Sequence, residues 1–98
     1  MTSTSDQATS AVRDNAALQR FEMNVGGATA FANYRRSAGA VIITHTETPR
    51  ALRGRGIASQ LVEGALQLIQ ANGETVVAGC SFVVDYLAKN PEWQPLER

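Results

Sequence analysis

Hydrophobic and polar positions alternate in three stretches before the midpoint of the chain. Leu18 to Val25 places Phe21, Met23 and Val25 on one side and Arg20, Glu22 and Asn24 on the other. That is the period-2 pattern of a half-buried strand. Gly26-Gly27 then reads as a hairpin turn. Ala28 to Arg35 returns with Ala30, Ala32 and Tyr34 on one face and Thr29, Phe31 and Asn33 on the other. A second turn at Arg36 to Gly39 leads into Ala40-Val41-Ile42-Ile43-Thr44-His45-Thr46, whose unbroken apolar start predicts a strand covered on both faces. Pro49 ends the extended run, since it cannot donate to a ladder.

The period then changes. Ile57, Ala58, Leu61, Val62, Ala65, Leu66 and Ile69 recur at helical spacing, which predicts a helix from near Gly56 to Ala71. Asn72-Gly73 stops it. Glu74 to Gly79 is a short buried strand, able to lie parallel to Ala40–Thr46 as a βαβ crossover. A second helix spans about Phe82 to Lys89, with Phe82, Val83, Tyr86 and Leu87 on its apolar face, and Asn90-Pro91 closes it. Trp93 anchors an irregular tail. Met1 to Asn15 is rich in Ser, Thr, Asp and Gln and reads as a disordered tail, leaving one domain at 16–98. The predicted order is β-β-β-α-β-α, an α/β fold with an antiparallel meander followed by a parallel βαβ unit.

Charge narrows the function. Nine basic and nine acidic residues give a net charge of +0. Nucleic-acid binding usually shows a basic excess, so that class falls away. The single cysteine, Cys80, rules out an internal disulfide and suits a reducing cytoplasm. Met1–Ser10 lacks the apolar run of a signal peptide, and no stretch reaches membrane-spanning length. One histidine and one cysteine at unrelated positions predict no metal site.

The net neutrality hides a local concentration of charge. Arg50, Arg53 and Arg55 crowd a glycine-rich turn, Arg53-Gly54-Arg55-Gly56, at the start of the first helix. The first N–H groups of a helix lack intrahelical partners, and the helix dipole favours an anion there. Glycine admits close approach, and guanidinium groups match phosphate oxygens. A phosphate or pyrophosphate ligand follows. A Walker loop is absent. The Rossmann fingerprint is nearly met by Gly54 to Ser59, with Glu74 downstream, but Ser59 replaces its third glycine and only one βαβ unit exists.

The run Arg53-Gly54-Arg55-Gly56-Ile57-Ala58, followed by Leu61-Val62, resembles the acetyl-CoA pyrophosphate loop of GNAT acetyltransferases. His45-Thr46, Pro49, Gly54-x-Gly56-Ile57-Ala58, Cys80-x-Phe82-Val83, Tyr86 and Asn90-Pro91-Glu92-Trp93 together resemble a family of very short GNAT-like proteins. Two positions depart from the pattern: Ala51 stands where the superfamily prefers Gln or Arg, and Ser81 where the short family has proline. The resemblance implies a GNAT-like acyl-CoA N-acyltransferase fold, with the pantetheine arm between Ala40–Thr46 and Glu74–Gly79. It implies an acetyl-CoA/CoA site formed by Thr46, Arg50, Arg53, Gly54, Arg55, Gly56, Ile57, Ala58 and Asn90.

It also implies an N-acetyltransferase acting on a small-molecule or peptide amine, as a monomer or homodimer, with no nucleic acid or membrane partner. The competing readings are a non-catalytic acyl-CoA-binding module and a protein-interaction module. Three residues carry the implied chemistry, each with a structural alternative. Cys80 either accepts the acetyl group or lines its pocket. His45 is a general base or a core histidine, sharing a face with Val41 and Ile43. Tyr86 protonates the leaving thiolate or simply fills the core. Glu47 is a second candidate base.

Overall fold

The computed structural model describes residues 11–98. Alternation builds the meander as expected. β1 (Val12–Asn15), β2 (Arg20–Val25), β3 (Ala28–Ser37) and β4 (Ala40–Glu47) pair antiparallel in chain order. Helix α1 (Ile57–Ala71) crosses back to β5 (Thr75–Ala78), which pairs parallel with β4 from Ala40↔Thr75 to Ile43↔Ala78. Helix α2 (Ser81–Lys89) follows. Two 3₁₀ turns, Arg50–Leu52 and Pro91–Leu96, complete the path, the second where an irregular tail was expected.

One sheet face carries both helices. Phe21, Met23, Ala30, Ala32, Tyr34, Val41 and Ile43 point to it and meet Leu61, Val62, Ala65, Leu66 and Ile69 of α1 in a single core. Val83, Tyr86 and Leu87 of α2 join that core. Each such large side chain, fully buried, contributes about 1.5–3 kcal/mol. Among the described residues, the other sheet face has no helix. Ile42 is only half-buried there, so the expectation of a strand covered on both sides does not hold for β4.

The first strand is a correction to the sequence reading. Val12–Asn15 was expected in a tail, yet it pairs with β2 from Val12↔Met23 to Asn15↔Arg20. The reason is tertiary. Val12 lies so close to α1 that a Cβ built on Gly64 would sit 2.4 Å from Val12 Cγ2. Arg13 and Asn15 both donate to Glu22, at 2.6 and 2.9 Å. Tyr34 donates to Asp14, and Arg36 donates to Asp14 and to Glu74. The part of the expected tail at residues 1–10 lies outside the described residues.

A bulge interrupts β4. Tyr34 opposes Ile43, but Asn33 opposes His45, leaving Thr44 without a partner. An extra residue in one strand shifts its side-chain alternation. From His45 onward the faces are exchanged. Thr46, opposite Ala32, turns to the helix side; His45 and Glu47, opposite Asn33 and Phe31, turn to the helix-free side. His45 therefore does not share a face with Val41 and Ile43, and it is exposed rather than a core histidine.

Candidate functional site

The loop after β4 is held at its base by packing and left open at its tip. Leu52 is buried and anchors the 3₁₀ turn, whose N–H donates to Pro49 O at 2.8 Å. Arg53 Nε donates to Thr48 O at 3.2 Å. Gly54 and Gly56 take left-handed φ values of 81° and 73°, a region that L side chains rarely adopt. A Cβ at either would meet nothing within 4 Å, so the backbone is exposed to an incoming group.

Gly56 is the N-cap of α1 and supplies no side-chain cap. The first helical bond runs from Gln60 N–H to Gly56 O, so the N–H groups of Ile57, Ala58 and Ser59 lack intrahelical acceptors. No acidic residue lies in that first turn. Among the described residues Arg50, Arg53 and Arg55 form no ion pair. A cavity of about 230 Å³ opens here, lined by Leu52, Arg53, Gly54, Gly56, Ile57 and Phe82 among others. The donor set and open backbone suit a pyrophosphate.

Phe82 and Ser59 also line a second cavity of about 370 Å³ between α1 and α2. Glu63, Asp85, Tyr86, Lys89 and Asn90 complete its wall. Tyr86 donates to Glu63 Oε1 at 3.4 Å. Burial, reinforced by the Glu63 carboxylate, raises the phenol's pKa, so it keeps its proton at neutral pH. Asn90 donates from Nδ2 to Tyr86 O at 2.8 Å, closing the end of α2.

Cys80 and Thr46 face each other where the sheet parts. The parallel ladder ends at Ile43↔Ala78, with a final bond from Gly79 N–H to Ile43 O at 2.8 Å. Glycine suits this close approach, because a Cβ on Gly79 would lie 3.0 Å from that same carbonyl oxygen. β4 then continues to Glu47 with no partner on the β5 side. Thr46 Oγ1 lies 3.7 Å from Cys80 Sγ. Cys80 is the N-cap residue of α2. Burial pushes its thiol pKa up, but the Thr46 hydroxyl and the N–H groups of Val83, Phe82 and Thr46 outweigh this and lower it. A half-buried thiol with a lowered pKa results.

The predicted site residues thus fall into three groups. Arg50, Arg53, Gly54, Arg55, Gly56, Ile57 and Ala58 form or border the loop. Thr46 and Cys80 meet at the parting of the strands. Tyr86 and Asn90 line the inter-helix cavity. His45 stands apart on the opposite sheet face, its Nε2 2.9 Å from Glu47 Oε1. The sequence reading did not single out Thr48, Leu52, Ser59 or Glu63. Glu63 sits one turn beyond Ser59 on the same side of α1, but its signal was hidden by its appearance as an ordinary solvated helix position. Among the described residues, no three His, Cys, Asp or Glu side chains gather as metal ligands. None of the described helices is long and apolar enough to cross a membrane.

The chain is similar to known proteins. The family model for the GCN5-related N-acetyl-transferase matches residues 20–96. Protein NATD1 of Mus musculus is 40% identical over 58 residues, covering 59% of this chain and 53% of that protein. Protein NATD1 of Danio rerio is 34% identical over 58 residues, again covering 59% and 53%. The chain thus spans about half the length of the curated relatives it matches. A GCN5-like protein of Staphylococcus aureus, solved in solution by NMR, superposes with a TM-score of 0.69 at 22% identity, covering 89% of this chain and 86% of that one. That likeness shares the fold, a mixed sheet whose helices lie together on one side. The matched span runs from the first residue of β2 to the last 3₁₀ turn and includes the loop, the parting strands and Cys80, so the chain belongs to the GCN5-related N-acetyltransferase family.

Proposed function

We propose that the protein binds acetyl-CoA and transfers its acetyl group to an amine. The observation that carries this reading is the loop from Arg53 to Ile57. It combines two left-handed glycines, uncapped N–H groups at the start of α1 and three arginines without carboxylate partners among the described residues. Arg50, Arg53 and Arg55 supply charge, and the N–H groups of Ile57 and Ala58 supply directed donors to the pyrophosphate. Thr46 borders the pantetheine path, and Asn90 closes the neighbouring inter-helix cavity. When bound, the coenzyme supplies the acetyl group as a thioester.

Three side chains supply the remaining chemistry in this reading. Cys80 lies at the parting of the strands and borders the acetyl position. Tyr86 retains its proton and can donate it to a leaving thiolate. His45 takes a proton from the acceptor amine. The helix-free face has no built wall around His45, which suits an amine carried on a peptide or protein.

Thermal unfolding with acetyl-CoA, CoA, NAD and ATP in separate samples tests the ligand. At 100 times its Kd a ligand adds about 2.7 kcal/mol, a rise of many degrees for a domain of this size. A rise with acetyl-CoA and CoA alone, lost in Arg53→Glu, is expected. No rise with either coenzyme overturns the reading and leaves an interaction module in its place. A rise without amine acetylation leaves a non-catalytic acyl-CoA-binding module.

A further inference from the structure

The bulge at Thr44 does more than move one histidine. It places three consecutive residues on two sides of a break in the sheet. Thr46 faces Cys80 on the helix side, while His45 and Glu47 face outward on the helix-free side. All three lie beyond Ile43, where β4 has no β5 partner, so the strand edge between the two faces is open.

His45 and Glu47 are joined by a 2.9 Å contact between Nε2 and Oε1. Their side chains are 56% and 43% exposed, so an acceptor can reach them. On this face Arg13 and Arg20 both pair with Glu22, each at 2.6 Å, and Arg35, opposite Ile42, stands two residues along β3 from Asn33, the partner of His45. Glu47 is thus the carboxylate that addresses the imidazole. An ionised carboxylate only accepts hydrogen bonds, so in the neutral ring Nε2 carries the proton and Nδ1 is the free acceptor.

We infer that Glu47 is a positioning residue for His45, fixing the imidazole so that Nδ1 takes a proton from an acceptor ammonium arriving on the helix-free face. This rests on the acetyl-transfer reading above. The proton moves from the ammonium to Nδ1. The neutral amine nitrogen then bonds to the acetyl carbon as the carbon–sulfur bond breaks. Tyr86 gives its proton to the departing sulfur, the amine's second proton restores the phenol, and the imidazolium returns its own to water.

The test is a double-mutant cycle on the full chain at pH 8, with saturating acetyl-CoA and n-butylamine as the probe amine. Binding of acetyl-CoA is measured separately. Glu47→Gln is expected to lower kcat roughly fivefold, the scale of an exposed charge pair, with acetyl-CoA affinity unchanged. His45→Asn is expected to lower it about 100-fold. In the His45→Asn background, Glu47→Gln should cost nothing more, because it acts only through the ring. An equal cost in both backgrounds, or no cost in either, overturns the inference. Wild-type protein that binds acetyl-CoA but acetylates no amine overturns it too, while leaving the coenzyme site standing. Failure to bind acetyl-CoA at all instead sinks the reading on which it rests.

Discussion

At the scale of single residues, Cys80 shows how position decides reactivity. Burial alone would make it an inert hydrophobe, but its place at the start of α2 surrounds the sulfur with N–H groups. The rate of iodoacetamide alkylation should therefore rise with a midpoint below that of the same cysteine in the unfolded chain. Thr46→Val should move that midpoint upward by removing the hydroxyl partner. Glu22 illustrates a related balance on the other sheet face. Its carboxyl pKa is lowered, chiefly by the hydrogen bond from Arg20, against the opposing effect of burial and with help from Asn15 and Arg13. A depressed carboxyl contributes stability above its unfolded pKa of about 4.3 and loses it as pH falls through the folded value. Glu22→Gln should cost about 1.5–3 kcal/mol at pH 7, and the difference from wild type should shrink near pH 3. Urea denaturation at the two values measures both.

At the scale of elements, the strand β1 and the helix α1 depend on one another through the missing side chain of Gly64. Glycine inside a helix costs about 1 kcal/mol relative to alanine, so Gly64→Ala would ordinarily stabilise. Here the added carbon collides with Val12, and overpacking costs about 1–3 kcal/mol. A net loss of about 1 kcal/mol is expected, lowering Tm by about 4–8 °C. An unchanged or higher Tm would show that β1 yields without penalty. The same contact explains what could be read in the sequence. β2, β3, α1 and α2 announce themselves through periodicity because each buries a continuous face. Val12-Arg13-Asp14-Asn15 has one apolar residue in four, and its partners, Gly64, Glu22 and Tyr34, lie far along the chain. The bulge was equally hidden, because Ala40 to Thr46 reads as an unbroken strand and the unpaired Thr44 is defined only by its neighbour β3. The loop was legible from Gly54, Gly56 and three arginines, since glycine and charge state their purpose locally. Glu63 was not, because its meaning depends on a helix folded beside it.

At the scale of the whole molecule, a net charge of +0 conceals a separation of function. Most arginines on the sheet are neutralised: Arg13 and Arg20 by Glu22, Arg36 by Asp14 and Glu74. The three loop arginines are not, and with six basic residues elsewhere against nine acidic ones the molecule has a local positive site on a body of net −3. Attraction at that site should be sensitive to screening, because the Debye length falls from about 10 Å at 0.1 M salt to about 3 Å at 1 M. The Kd for CoA, measured by calorimetry, should weaken several-fold across that range. Arg50→Gln or Arg55→Gln should flatten the dependence, whereas Arg35→Gln, distant on β3, should not.

The unpaired Thr44 carries a consequence for how such a site can change. Deleting an amino acid from a strand normally turns a buried row outward and ruins the fold. Here, removing Thr44 would give β4 an uninterrupted ladder with β3, because the surplus position is the one removed. The imidazole would stay opposite Asn33, on the side away from the thiol, and Thr46 would stay opposite Ala32, on the side of the thiol. One codon can thus be lost at this position with the layout of the side chains kept, and among GCN5-related chains of this size a gap of one at the surplus position should be read as length variation rather than as a rearrangement of the residues around it.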